Sequence, residues 1–212
     1  MAKINDTTTF PNTTPALDDH VIGTDVSDTG NDANGEVVTF LLSDILALAE
    51  GKVLIETTTV SGATEFTFTD FDSTRFGSYT IELKNITTST GTVNLRIETS
   101  SDGGSSWDTG ASNYYWSDGT AQIYIEVIND TLNGVTTNFG INGEVILKGP
   151  HLTGYTPITW DLVYKTEDGA TDLLVRNMDV AYRQEAAAVN GIRIYLNSGN
   201  FSGEISVYGN KK

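Results

Sequence analysis

The stretch Ser100-Ser101-Asp102-Gly103-Gly104-Ser105-Ser106-Trp107 carries the sharpest local chemistry in the sequence. Its spacing is S-x-D-x-G-x-[ST]-W. A carboxylate at Asp102 is placed to accept hydrogen bonds from the backbone N–H groups of a tight turn. Gly104 is free to take a left-handed backbone, and Trp107 offers a large apolar ring to pin the turn on a sheet. Just beyond it, Tyr114, Tyr115 and Trp116 stand in a row between Asn113 and Asp118. Rings of this kind stack on the apolar face of a pyranose, so these three are candidate glycan contacts. The alternative is that alternate members of the row point into a core.

Both motifs have a plain structural reading beside the functional one. The spacing around Asp102 is the Asp-box pattern, which resembles a recurring turn of sialidases and points to a sugar-handling module. As a single copy it reads as a structural hairpin built from Asp102, Gly104 and Trp107. Asp102, Asp108 and Asp118 are acids in turn-rich sequence, and none fits the D-x-[DN]-x-[DN]-G-x₅-E loop of a calcium site. Only two histidines exist, His20 and His151, neither at metal-ligand spacing. No pattern argues for a Ser-His-Asp triad, and no pair of acids stands out as glycosidase carboxylates. No phosphate-binding glycine loop is present. The expectation is a non-enzymatic protein with no cofactor, no catalytic residue and no metal.

Composition points the same way. The chain has 212 residues, no cysteine and a formal net charge of −16. An acidic surface repels phosphate backbones and anionic lipid, so neither nucleic acid nor membrane is an expected partner. Residues 1–51 hold nine acids and one lysine, Lys3, so a quarter of the chain carries half of the net charge. No apolar run approaches a membrane span, and the first ten residues show no secretory leader.

Charge and pattern divide the chain at 51/52. Residues 1–36 read as an extended acidic arm with sparse apolar residues, too few to offset the entropy of ordering. Val37–Phe40 reads as a strand. Ser43 as N-cap and Gly51 as stop predict one short helix. From residue 52 onward the period is two. Tyr79, Ile81 and Leu83 alternate with Thr80, Glu82 and Lys84. Val93, Leu95 and Ile97 alternate with Asn94, Arg96 and Glu98, and Ile192, Ile194 and Leu196 with Arg193, Tyr195 and Asn197. Ten strands are predicted, at 53–60, 64–71, 78–86, 92–99, 122–129, 142–148, 158–166, 172–182, 191–197 and 203–209, separated by Gly-containing turns. The expected fold is an all-β, jelly-roll-like β-sandwich over 52–212 with an extended N-terminal arm and one short helix.

Several stretches carry a resemblance. Pro15-Ala-Leu-Asp18, Ile22-Gly-Thr-Asp25, Gly35-Glu-Val-Val-Thr-Phe40 and Leu42-Ser-Asp-Ile-Leu-Ala-Leu48 resemble the N-terminal attachment segments of phage fibre and spike proteins. Tyr79-Thr-Ile-Glu-Leu83, the run from Leu95 to Trp107, Ala111-Ser-Asn-Tyr-Tyr-Trp116 and the end from Asn190 to Gly209 are similar to a jelly-roll-like domain of phage structural proteins. The resemblance implies a tailed-phage virion surface protein, assembled in the host cytoplasm. Its partner would be a major capsid protein or another head or tail component, and its state a homotrimer. Phe10, Leu17, Val21, Ile22, Val37 and Phe40 are the expected virion-attachment residues. Capsid decoration or a head fibre is the first reading. A tail fibre or receptor-binding module that recognises a host glycan is the alternative.

Overall fold

A computed structural model describes residues 20–25, 36–41, 51–90, 93–122, 124–128, 140–168 and 171–212. The chain divides into two units, Met1–Gly51 and Lys52–Lys212.

In the first unit, β1 (His20–Asp25) pairs antiparallel with β2 (Glu36–Leu41). The register sets Val21 opposite Phe40 and Thr24 opposite Val37. Residues 20–25, expected as unpaired extended arm, are therefore a strand with a partner in the same chain. Their content of Val, Ile and Thr, matched by Val37, Val38 and Thr39, suits a pleated pair better than free coil. A two-stranded hairpin is marginal in water by itself. Phe10, Leu17 and the helix expected over 43–51 lie outside the described residues.

The second unit is built from β3 (Lys52–Ala63), β4 (Glu65–Phe68), β5 (Phe76–Thr88), β6 (Leu95–Ser100), β7 (Tyr114–Trp116), β8 (Ala121–Gln122), β9 (Ile125–Ile128), β10 (Ile141–Lys148), β11 (Thr156–Asp168), β12 (Thr171–Arg183), β13 (Gly191–Leu196) and β14 (Phe201–Lys211). No helix occurs among the described residues. Two antiparallel sheets face each other, one ordered β3-β14-β5-β10-β11-β12-β7-β8 and the other β4-β13-β6-β9. Along the chain, strands β3, β5, β10 and β14 fall in the larger sheet and β4, β6, β9 and β13 in the smaller. The paired orders β3-β14-β5-β10 and β4-β13-β6-β9 are those of a jelly roll. Two insertions, β7–β8 between β6 and β9 and β11–β12 between β10 and β13, continue the larger sheet beyond β10.

Period-two alternation explains the core. Tyr79, Ile81 and Leu83 of β5 are buried, as are Leu95 and Ile97 of β6 and Ile192, Ile194 and Leu196 of β13. They meet Val145, Leu147, Ile158, Leu162, Ile205 and Val207 in one cluster. Each such side chain taken fully out of water contributes about 1.5–3 kcal/mol, which opposes the ordering entropy of the strands. Glu98 breaks the alternation. It points away from the core yet is only 3% exposed. Arg193 and Tyr195 close over it, with Arg193 Nε 2.8 Å from Oε2 and the Tyr195 hydroxyl 2.5 Å from Oε1.

Candidate functional site

The Asp102 turn is a closed hydrogen-bonded unit. Asp102 Oδ1 accepts from Ser100 Oγ at 2.7 Å and from the Ser106 N–H at 2.9 Å, and Oδ2 accepts from Ser106 Oγ at 2.6 Å. These bonds, led by the Ser106 hydroxyl, hold the carboxyl down at about 2. Gly104 has φ +82°, and a Cβ there would lie 3.0 Å from Thr69 Cγ2, so the position admits only glycine without strain. Asn190 clasps the turn from the next strand, accepting from the Gly103 N–H at 2.8 Å. Trp107 lies under Arg193, whose guanidinium is 5.0 Å from the ring centroid. The Asp102 carboxylate bonds only within the motif, to Ser100 and Ser106, which is the behaviour of a structural hairpin.

From this turn a buried polar chain leads to the aromatic row. Asp108 Oδ2 accepts from Thr99 Oγ1 at 2.7 Å and from Arg183 Nε at 2.5 Å. A carboxylate only accepts, so the Thr99 hydroxyl proton goes to Asp108 and the Tyr114 hydroxyl, 3.1 Å away, donates to Thr99 Oγ1. The Thr99 N–H in turn donates to the Tyr114 oxygen at 2.8 Å. Burial raises the Tyr114 phenol far above the usual tyrosine value and keeps it protonated. Tyr114 is 1% exposed and anchors β7 in the core, so it is no glycan contact. This corrects the sequence expectation. Alternation in β7 had to bury one end of the row, and the hydroxyl-lined gap beside Thr99 accommodates Tyr114.

Tyr115 turns to the other face. It stacks on Tyr182 with centroids 5.5 Å apart and planes at 10°, and Tyr155 meets Tyr182 edge-on at 5.3 Å. Trp116 returns to the side of Tyr114, edge-on to Trp160 at 5.5 Å and 84°. Trp160 is fixed by its indole N–H, 3.0 Å from Asn177 Oδ1. The connection to β8 is a tight turn. The Gly119 N–H donates to the Trp116 carbonyl at 2.9 Å, the Trp116 N–H to the Thr120 carbonyl at 3.0 Å, and Gly119 has φ +82°. A three-residue loop with glycine in the left-handed position is what a hairpin of this size requires. Hydrogen bonds from Thr120 hold the Asp118 carboxyl below its ordinary value, so it is an anion at neutral pH.

Trp116, Asp118, Thr120 and Gln122 of this hairpin line a cleft of about 240 Å³ together with Tyr124 and Glu126. Tyr124 and Glu126 flank buried Ile125, so strand alternation sends both outward. Arg96 joins them, its guanidinium 3.9 Å from the centre of the Tyr124 ring and its Nη2 3.2 Å from Glu126 Oε1. Asn94 Nδ2 donates to the same carboxylate oxygen. The cleft thus offers two aromatic rings, an amide, a hydroxyl and two carboxylates. Of the sequence candidates, Trp116 lines it and Tyr114 and Tyr115 do not. Thr120, Gln122, Tyr124 and Glu126 were not singled out from sequence. The outward alternation of Tyr124 and Glu126 was the one signal that marked them.

His151 lines a separate cavity of about 140 Å³ with Phe71, Tyr79, Pro150 and Val189. Among the described residues no cluster of three or more His, Asp or Glu is grouped to hold a metal ion. No protein-family model matches the chain, and no curated protein matches it.

Proposed function

We propose that this chain is a non-enzymatic surface protein of a tailed-phage virion whose jelly roll recognises a host glycan through the Trp116–Tyr124 cleft. The observation that carries the recognition half is the pairing of two aromatic side chains with fixed hydrogen-bonding groups in one shallow cleft. Aromatic faces receive the C–H face of a sugar, and the surrounding acceptors and amide receive its hydroxyls. Jelly rolls recur in viral capsid and lectin domains, which is consistent with both halves of the reading. The cleft suits binding more than hydrolysis. A glycosidase needs two carboxylates free to act on the substrate, and here Asp118 accepts from the Thr120 N–H while Glu126 is held by Arg96 and Asn94. The virion half rests on the resemblance of the N-terminal segments and of the domain to phage structural proteins. Binding of fluorescently labelled protein to host cells, abolished by periodate treatment of the cell surface, tests the glycan reading. Binding that survives loss of surface carbohydrate overturns it.

A second reading, capsid decoration or a head fibre, draws on the β1–β2 hairpin. Four of the proposed attachment residues, Val21, Ile22, Val37 and Phe40, fall in its two strands. The hairpin would dock on a capsid or tail protein, Phe10 and Leu17 adding apolar contact, with the chain as a trimer. Electron microscopy of virions mixed with full-length protein or with a form lacking residues 1–51 tests it. Equal attachment of the shortened form removes the attachment role of the first unit.

A further inference from the structure

We infer that the Trp116–Tyr124 cleft takes an uncharged sugar, a neutral hexose or N-acetylhexosamine unit, and rejects sugars bearing a carboxylate. The inference rests on the saccharide-binding reading above and adds its ligand class. Charge placement in the cleft carries it. Asp118 is exposed and Glu126 partly buried, and both line the cleft together with Thr120 and Gln122 as neutral polar groups. The nearby cation, Arg96, is already committed. Its Nε and Nη2 lie 3.3 and 3.2 Å from Glu126 Oε1, and its plane covers the Tyr124 ring at 3.9 Å. No lysine or arginine is among the six residues that line the cleft.

A sialic or uronic acid seated here would place its carboxylate beside Asp118 with no cation to receive it. Recognition of a carboxylate calls for the opposite arrangement, a guanidinium or ammonium turned toward the ligand. A neutral sugar meets the walls differently. Its hydroxyls donate to Asp118 and Glu126, both acceptors, and the Gln122 amide serves either as donor or as acceptor. Its apolar face lies on the indole of Trp116, which Trp160 holds at a fixed angle. An N-acetyl group adds a methyl for the rings and an amide for Gln122.

The test is calorimetric titration of the full chain with two sets of tetrasaccharides. One set contains neutral hexoses and N-acetylhexosamines. The other contains the same hexose sugars oxidised at C6 to uronic acids. At moderate salt the expected result is binding of at least one neutral member about tenfold or more tighter than its uronic counterpart. Tyr124→Ala and Trp116→Ala should each lose that binding. Asp118→Asn, an exposed change that leaves the fold intact, should narrow the gap by letting the uronic form bind better. Equal or tighter binding of the uronic set overturns the charge selectivity and leaves saccharide recognition standing. Neutral binding unaffected by both Tyr124→Ala and Trp116→Ala overturns the site. Binding of no member of either set overturns the saccharide reading itself.

Discussion

Arg183 and Asp108 form an ion pair with Nε 2.5 Å from Oδ2, and the Arg183 side chain is fully buried. The guanidinium also reaches the Ala187 carbonyl at 2.6 Å and Glu185 at 2.9 Å. This pair ties the end of the Asp102 turn to the last residue of β12, where Arg183 sits opposite Tyr114 in the register. The turn and the aromatic hairpin are thereby one mechanical unit. Removing Asp108 leaves the buried guanidinium with only Glu185 and the Ala187 carbonyl as partners, and the Thr99 hydroxyl without its acceptor. Asp108→Ala is expected to cost about 1.5–3 kcal/mol of unfolding free energy, read from urea denaturation. A loss below about 1 kcal/mol would mean that the pair does not hold this end of the sandwich.

The Tyr114 hydroxyl makes a narrower prediction. Tyr114→Phe keeps the ring in the core but leaves the buried Thr99 N–H without its acceptor. The expected cost is about 1–3 kcal/mol, with the change in denaturant slope near zero because the buried surface is kept. Saccharide binding should fall little, since Tyr114 lies outside the cleft.

Tyr115 separates the cleft from its neighbours. Its ring is spent on Tyr182. Tyr115→Ala is expected to leave saccharide affinity within about twofold, whereas Trp116→Ala removes it. Loss of binding on Tyr115→Ala, with Trp116→Ala neutral, would move the site to the Tyr115–Tyr182–Tyr155 face.

Asp102 predicts a pH dependence. Its carboxyl is lowered from 3.8 to about 2 in the folded chain, chiefly by the Ser106 hydroxyl and then by the Ser106 N–H. A depressed carboxyl stabilises the fold fully above its unfolded value. That contribution declines as pH falls from about 4 toward the folded value and is gone below both. The melting temperature of Asp102→Asn should lie below that of the unchanged protein at pH 6, and the two curves should converge on approaching pH 2. A constant offset across that range would show that the carboxylate charge is not what the turn uses.

Period-two alternation made most of the sandwich legible. The runs around Ile81, Ile97 and Ile194 declared which face was core, and the Gly-containing turns between them separated ten of the twelve described strands. The short strands were not legible. Tyr114–Trp116 and Ala121–Gln122 span three and two residues, too few for a period to show; the first pairs with the edge that β12 offers, and the second with the first. The β1 strand was hidden by its short length and by the acids and prolines around it. For the site, sequence singled out Trp116 and Asp118 but could not decide which of three adjacent aromatics faced inward. That depended on Thr99, fifteen residues away, offering a polar socket to Tyr114. Glu126 belongs to the other sheet from the hairpin it lines the cleft with, and Tyr124 sits in the short link between them, two residues after Gln122.

The most direct measurement follows the three tryptophan indole N–H signals of the full chain by NMR while a neutral N-acetylhexosamine oligosaccharide is added. Trp107 is engaged with Arg193 and serves as an internal reference, whereas Trp160 packs edge-on against Trp116. The cleft account predicts a saturable shift led by the Trp116 signal, with Trp107 unmoved and no cleavage of the oligosaccharide over days. A shift confined to Trp107 or Trp160, no shift of any indole, or release of shortened sugar would contradict it.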